Sequence, residues 1–114
     1  MMIETIVRDY LTSALKVPVY LEYPDGEAVP KKHVMIEKTG SERKDQINTS
    51  TFALQSYGER LVDAILLNEQ VKEAMDAIIS LGSISSAKLN SDYNFTDTDK
   101  REYRYQAVYD LVHY

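Results

Sequence analysis

Ile3, Ile6, Val7, Tyr10, Leu11, Ala14 and Leu15 recur at the spacing of one helical face, and Glu4, Arg8, Asp9 and Thr12 fall on the other. The pattern predicts a helix from Met2 to Leu15, with Lys16 at the negative end of its dipole and Pro18 forbidding continuation. From Val17 the period becomes two: Val17, Val19, Leu21 and Tyr23 alternate with Tyr20 and Glu22, a short strand that Pro18 marks as an edge or entry strand. Turn residues from Pro24 to Pro30 predict a loop, and a strand follows from His33 to Lys38. Thr39 to Lys44 is polar throughout and reads as a second loop. A β-like run extends from Asp45 to Ser56, but Ile47 is out of phase with Phe52 and Leu54. Either a bulge shifts the phase or the early part leaves the core.

Ser56-Tyr57-Gly58-Glu59 fits the capping box S-x-x-E, so a helix is expected from Tyr57 to Ser80, with Gly82 as its left-handed cap. Its apolar stripe comprises Leu61, Ala64, Ile65, Val71, Met75, Ile78 and Ile79, whereas Val62 and Leu66 fall off that stripe. In the last third, Ala87, Leu89, Tyr93 and Phe95 alternate with Lys88, Asn90, Asp92 and Asn94. Tyr103, Tyr105, Ala107, Tyr109 and Leu111 then alternate with Glu102, Arg104, Gln106 and Asp110. Two antiparallel strands joined through Thr96–Lys100 are expected. The order α-β-β-β-α-β-β defines an α+β fold: an antiparallel sheet of about five strands with two helices on one face.

The length of 114 residues fits one domain spanning 1–114, able to bury roughly 60% or more of its unfolded surface without a staple. With no cysteine, disulfide frameworks, thiolate nucleophiles and Cys-ligated metals are excluded, which suits a reducing cytoplasm. Eighteen acidic against 13 basic residues give a net charge of −5, which argues against broad duplex binding. The N-terminus carries Glu4, Arg8 and Asp9 and no apolar run approaches a membrane span, so a soluble chain without a targeting segment is expected.

Candidate chemistry is sparse. His33 and His113 begin and end strands without metal-type spacing, and Asp97-Thr98-Asp99 is followed by Lys100 and Arg101 where a calcium loop needs oxygens. Gly40-Ser41-Glu42-Arg43-Lys44 lacks the second glycine and the Gly-Lys-Ser/Thr ending of a phosphate loop. There is no Gly-x-Ser-x-Gly, and no Ser, His and Asp set can be assembled from two strand histidines. No catalytic residue, cofactor or metal is therefore assigned. The nine tyrosines are unusual beside two Phe and no Trp. Tyr103, Tyr105 and Tyr109 share a strand face and are expected to pair with Tyr93 and Phe95. For Tyr20, Tyr23 and Tyr114, core packing and a protein interface fit equally.

TFALQSYG (Thr51–Gly58) running into LVDAILLNEQVKEAM (Leu61–Met75), and the ending SDYNFTDTDKREYRYQAVYDLVHY (Ser91–Tyr114), resemble small tail proteins of siphophages and prophages of Gram-positive bacteria. The tail terminator, also called the tail completion or head–tail joining protein, is the member of that group most similar in kind. The first helix followed by VPVYLEYPDG and HVMIEKTG fits too, so the likeness covers nearly the whole chain. It lies in element order and phrases, not in a catalytic signature. The resemblance implies a homo-oligomeric ring, typically a hexamer, assembled in the bacterial host cytoplasm and resident in the virion. Such a ring caps the finished tail tube, contacts the tube protein and the head-completion protein of the neck, and lets DNA pass without sequence-specific binding. No catalytic residues, cofactor or membrane partner come with it. Candidate subunit-interface residues are Val62, Leu66, Tyr20 and Tyr114, and the candidate tail or neck contact loop carries Glu42, Arg43 and Lys44, with the Pro24–Lys32 loop beside it. Alternatives are another neck or head-closure component, and a small cytoplasmic protein-binding adaptor.

Overall fold

In the computed structural model, which describes residues 2–26 and 28–114, the elements are α1 (Ile3–Leu15), β1 (Val19–Tyr20), β2 (His33–Lys44), β3 (Ile47–Gly58), α2 (Leu61–Asp76), a short 3-10 helix (Ile78–Leu81), β4 (Ile84–Asn94) and β5 (Tyr103–His113). Glu27, within the expected first loop, lies outside the described residues. The fold is α+β: two helices and one five-stranded sheet ordered β1-β2-β3-β5-β4. The sheet is mixed rather than wholly antiparallel, because β1 runs parallel to β2 through Val19 opposite Val34 and Tyr20 opposite Met35. Val17–Tyr23 thus shortens to two ladder residues on the edge. The crossover through residues 21–32 returns the chain to run beside β1 in the same direction. The carbonyl of Pro18 accepts from the Val34 N–H at 3.0 Å.

The sheet's helix-bearing face is the core. Val34 and Ile36 of β2, Phe52 and Leu54 of β3, and Ala107, Tyr109 and Leu111 of β5 meet Val7 and Leu11 of α1 and Leu67, Val71 and Met75 of α2. Each helix contributes its apolar stripe, and burial of these side chains is the main driving term for the layer. Tyr109 is fully buried with its phenol satisfied, donating to Asp76 Oδ1 at 2.9 Å and lying 3.2 Å from the Lys72 carbonyl. Burial pushes that phenol's pKa well above the ordinary tyrosine range.

Several expected boundaries move. Thr39–Lys44 is strand, not loop: β2 and β3 form a long hairpin whose turn, Asp45-Gln46, has φ of 52° and 67°, the left-handed pair that a tight two-residue hairpin requires. Residues 39–44 are exposed on both faces, so backbone pairing to β3 holds them and their side chains carry no alternation. Ile47 is exposed, as expected if the early run leaves the core. The bulge lies in β2, between Lys38 and Gly40.

The capping box does not form. Ser56, Tyr57 and Gly58 stay in β3, paired to Tyr105, Arg104 and Tyr103, and α2 begins at Leu61 after Arg60, whose side chain makes no capping bond to the helix amides. Ser56 Oγ is buried without a protein partner. The helix ends at Asp76, and the 3-10 turn carries the chain to Gly82, whose φ of 73° lets it close that turn. Leu61 and Ile79 are exposed, while Leu67 and Asn68 take the buried positions expected of them. In β4, bulges between Ile84 and Ser86 and between Leu89 and Ser91 break the alternation. Tyr93 consequently sits on the face opposite Tyr105 and Tyr109, and its hydroxyl accepts from Gln106 instead of its ring pairing with theirs.

Gly58 marks where β3 meets the first turn of α2: a Cβ there would lie 2.5 Å from the Ala64 nitrogen and 2.8 Å from Asp63 Cβ. Gly58→Ala is expected to lower unfolding free energy by roughly 1–3 kcal/mol through overpacking against backbone. Urea denaturation of the purified variant measures it, and an unchanged midpoint would show that α2 shifts freely.

Candidate functional site

The sheet face without helices is built from alternate residues of every strand. In its middle, Gln55 Nε2 donates to Gln106 Oε1 at 2.9 Å, and Thr51 Oγ1 donates to Asp110 Oδ1 at 2.6 Å. Asn90 Nδ2 donates to the other Asp110 oxygen at 3.0 Å, and these two bonds hold the Asp110 carboxyl below its ordinary pKa.

Toward the end where β3 turns into α2, the same face becomes aromatic. Tyr20 and Tyr23 flank His33, whose ring stacks on Tyr57 with centroids 4.4 Å apart and planes 12° from parallel. The Arg104 guanidinium lies 4.6 Å from the Phe95 centroid and 5.8 Å from that of Tyr57, and its Nη1 donates to the Tyr57 hydroxyl at 3.1 Å. Phe95 meets Tyr93 edge-on at 6.0 Å. Rings and a guanidinium thus run across the sheet from β1 to β4. A cavity of about 370 Å³ opens beside them, lined by Tyr23, His33, Tyr57 and Tyr103, with Lys31 and Arg101 among its charged walls.

The protonation of His33 follows from its partners. Nδ1 is 2.7 Å from the Pro30 carbonyl, which can only accept, so Nδ1 carries the proton and Nε2, 2.9 Å away, accepts from the Tyr23 hydroxyl. Both nitrogens are committed, and the imidazole is a packed spacer in the stack. Burial lowers its pKa, against the opposing pull of the Pro30 and Lys31 backbone bonds, and burial likewise pushes the Tyr23 phenol upward.

The second histidine has a serine partner that the sequence does not foretell: Ser50 Oγ lies 2.8 Å from His113 Nε2 across β3 and β5. His113 Nδ1 faces the main-chain oxygen of Tyr114 at 3.4 Å, not a carboxylate, and Ser50 is buried. The pair is a cross-strand bond beneath the core edge. Among the described residues, no group of three or more His, Asp and Glu is placed to hold a metal ion, and no helix is long and apolar enough to cross a membrane. Asp97 Oδ1 accepts from the Asp99 and Lys100 amides, closing the acidic turn on itself.

The residues expected to act together are dispersed. Val62 and Leu66 stand on the outer side of α2, 49% and 58% exposed. Tyr20 is half-buried within the aromatic row, and Tyr114 is 80% exposed at the opposite end of the sheet. Glu42, Arg43 and Lys44 are exposed at the outer end of β2 near the hairpin tip, so the segment expected as a loop is the end of a strand. The described part of the Pro24–Lys32 segment is irregular and walls the aromatic cavity. The sequence pattern does not bring His33, Tyr57 and Arg104 together, because the S-x-x-E signal places Tyr57 in a helix and not on the strand face it shares with both. No family model matches the chain, and no curated protein matches it.

The lowered His33 pKa fixes a sign. The unfolded chain binds this proton more readily, so the stabilising contribution is complete above about pH 6.5 and is lost as pH falls from there through the lowered folded-state value. Protonation also removes the acceptor that Tyr23 uses. Thermal melts between pH 7.5 and 5 are expected to fall less steeply for His33→Phe than for the native chain; parallel slopes would contradict the assignment.

Proposed function

We propose that this chain is the subunit of a siphophage or prophage tail terminator, a homo-oligomeric ring that caps the tail tube and joins it to the neck. The observation that carries the reading is the pair Val62 and Leu66, apolar side chains one helical turn apart and about half exposed on α2, outside the buried core. Such a pair is stabilised when a further surface covers it. The subunit's shape supports the reading: its extents are 44 × 29 × 22 Å, with the charged hairpin arm at one end and the aromatic cavity at the other. A ring that meets a tube on one side and a neck on the other uses two dissimilar ends of this kind, and closes through unlike flanks repeated by rotation. The tail tube and head-completion proteins are then the partners, the virion is the location, and DNA passes through the lumen. No chemistry is required of the subunit.

A second reading, a small peptide-binding adaptor, draws on the aromatic cavity, which is of a size to take one or two side chains. A monomer at all concentrations, alone and with tail tubes, would favour it.

Leu66→Glu is expected to impair ring formation, seen as loss of rings in negative-stain micrographs and of the oligomer in sedimentation, with an unchanged melting profile. An unaltered assembly removes Leu66 from the contact. Replacing Arg43 and Lys44 with Ala is expected to leave fold and ring intact and weaken docking to tail tubes; tubes capped at the native level by this variant would overturn the role of the arm.

A further inference from the structure

Both margins of the sheet offer unpaired backbone, and the two are different. On one margin, β1 covers only Val34 and Met35 of the twelve-residue β2. The next residues, Ile36–Lys38, have a free edge up to the bulge that precedes Gly40. Beside them is a notch of about 290 Å³ lined by Met2, Leu21 and Ile36, with Glu4, Glu37 and Lys38 as its charged walls. On the other margin, β4 is the last strand. Its regular stretch Ser86–Leu89 is bounded by bulges on both sides. Leu89 projects there on the helix-bearing face, opposite Tyr109, and is 45% exposed, because α2 covers β3 and β5 and reaches β4 through Asn68 and Lys72 at Asp92.

These two short edges are complementary in one register. β4 is antiparallel to β5, β5 to β3 and β3 to β2, so rotation about an axis inclined to the strands brings β4 of one copy antiparallel to β2 of the next; Leu89 is level with Lys38 within one sheet, through Tyr109 and Phe52, and the inclination supplies the two-residue stagger that sets it against Ile36. Setting Leu89 against Ile36 then places Lys88 opposite Glu37. The face assignments agree: Ile36 and Leu89 share the helix-bearing face, while Glu37, opposite Ala53, and Lys88, opposite Asp110, share the open one. Among the described residues neither Glu37 nor Lys88 has an ion-pair partner within the chain. One step further, Met35 is already taken by β1 and Asn90 is displaced by a bulge, so the irregularities fence the pairing to this segment.

We propose that neighbouring copies in the ring join by antiparallel edge pairing of β4 with Ile36–Lys38, Leu89 entering the Met2–Leu21–Ile36 notch and Lys88 facing Glu37. The contact is head-to-tail and extends one sheet around the ring. It also brings the neighbour's α1 over the β4 surface that α2 leaves bare. The inference rests on the ring reading above and names the contact by which it closes.

The chain has no cysteine, so introduced thiols are unambiguous. Oxidation of the full-length Glu37→Cys/Lys88→Cys double variant is expected to give a ladder of covalent oligomers ending at the ring size on a non-reducing gel, with each single variant stopping at a dimer. Glu37→Lys is expected to lose ring assembly at a concentration where the native chain assembles, and adding Lys88→Glu to restore it. Rings in micrographs with neither a ladder nor charge-swap rescue would overturn the edge pairing and leave the ring reading standing. A chain that forms no rings, alone or on tail tubes, would overturn both.

Discussion

The eleven-residue ladder between β3 and β5 is the constraint on which the rest of this structure depends. It joins segments far apart in the chain, so its closure entropy must be met by what the pairing brings together. What it brings together is Phe52 opposite Tyr109 and Leu54 opposite Ala107, the centre of the buried face. Once that strip exists, α2 has an apolar surface to cover, and β2 and β4 have a partner on either side. Tyr109 binds the layers twice, by its buried ring and by its phenol on the C-terminal turn of α2.

The same ladder overrides local signals. Ser56-Tyr57-Gly58-Glu59 is a well-formed capping sequence, yet Ser56 and Tyr57 each have strand neighbours on both sides, Val34 and Tyr105 for one, His33 and Arg104 for the other. Two sets of backbone bonds and the His33–Tyr57 stack outweigh a cap whose substitution is worth only about 1 kcal/mol. The helix therefore starts late, and the close approach at Gly58 sets its entry.

Bulges do much of the remaining work. One in β2 and two in β4 shift the phase of the side chains without ending the strands. They send Tyr93 to the polar face and turn Leu89 to the helix-bearing one, where α2 does not cover it. They also leave only short regular stretches on the sheet margins, a common protection of free edges against indiscriminate pairing. Among the exposed apolar side chains, Val62 and Leu66 stand on α2 and Leu89 on β4, two separate surfaces. The aromatic row crosses the opposite face and stiffens the end that bears the cavity.

The sequence by itself determined the α+β class, the order of elements, the α1 stripe from Ile3 to Leu11, and the position of Val62 and Leu66 off the α2 stripe, because each follows from periodicity within a single segment; their exposure was decided by the tertiary structure, which packs no loop over them. It also marked tyrosine as the notable residue and left the charges of the 39–44 segment free. Only the tertiary structure decided that this segment is a strand, since a ribbon exposed on both faces is held by backbone bonds that no side-chain pattern records. Only it joined Tyr20, Tyr23, His33, Tyr57, Arg104 and Phe95 into one row, because their neighbourhood depends on cross-strand register. A register is a property of two segments at once, and neither segment carries it alone.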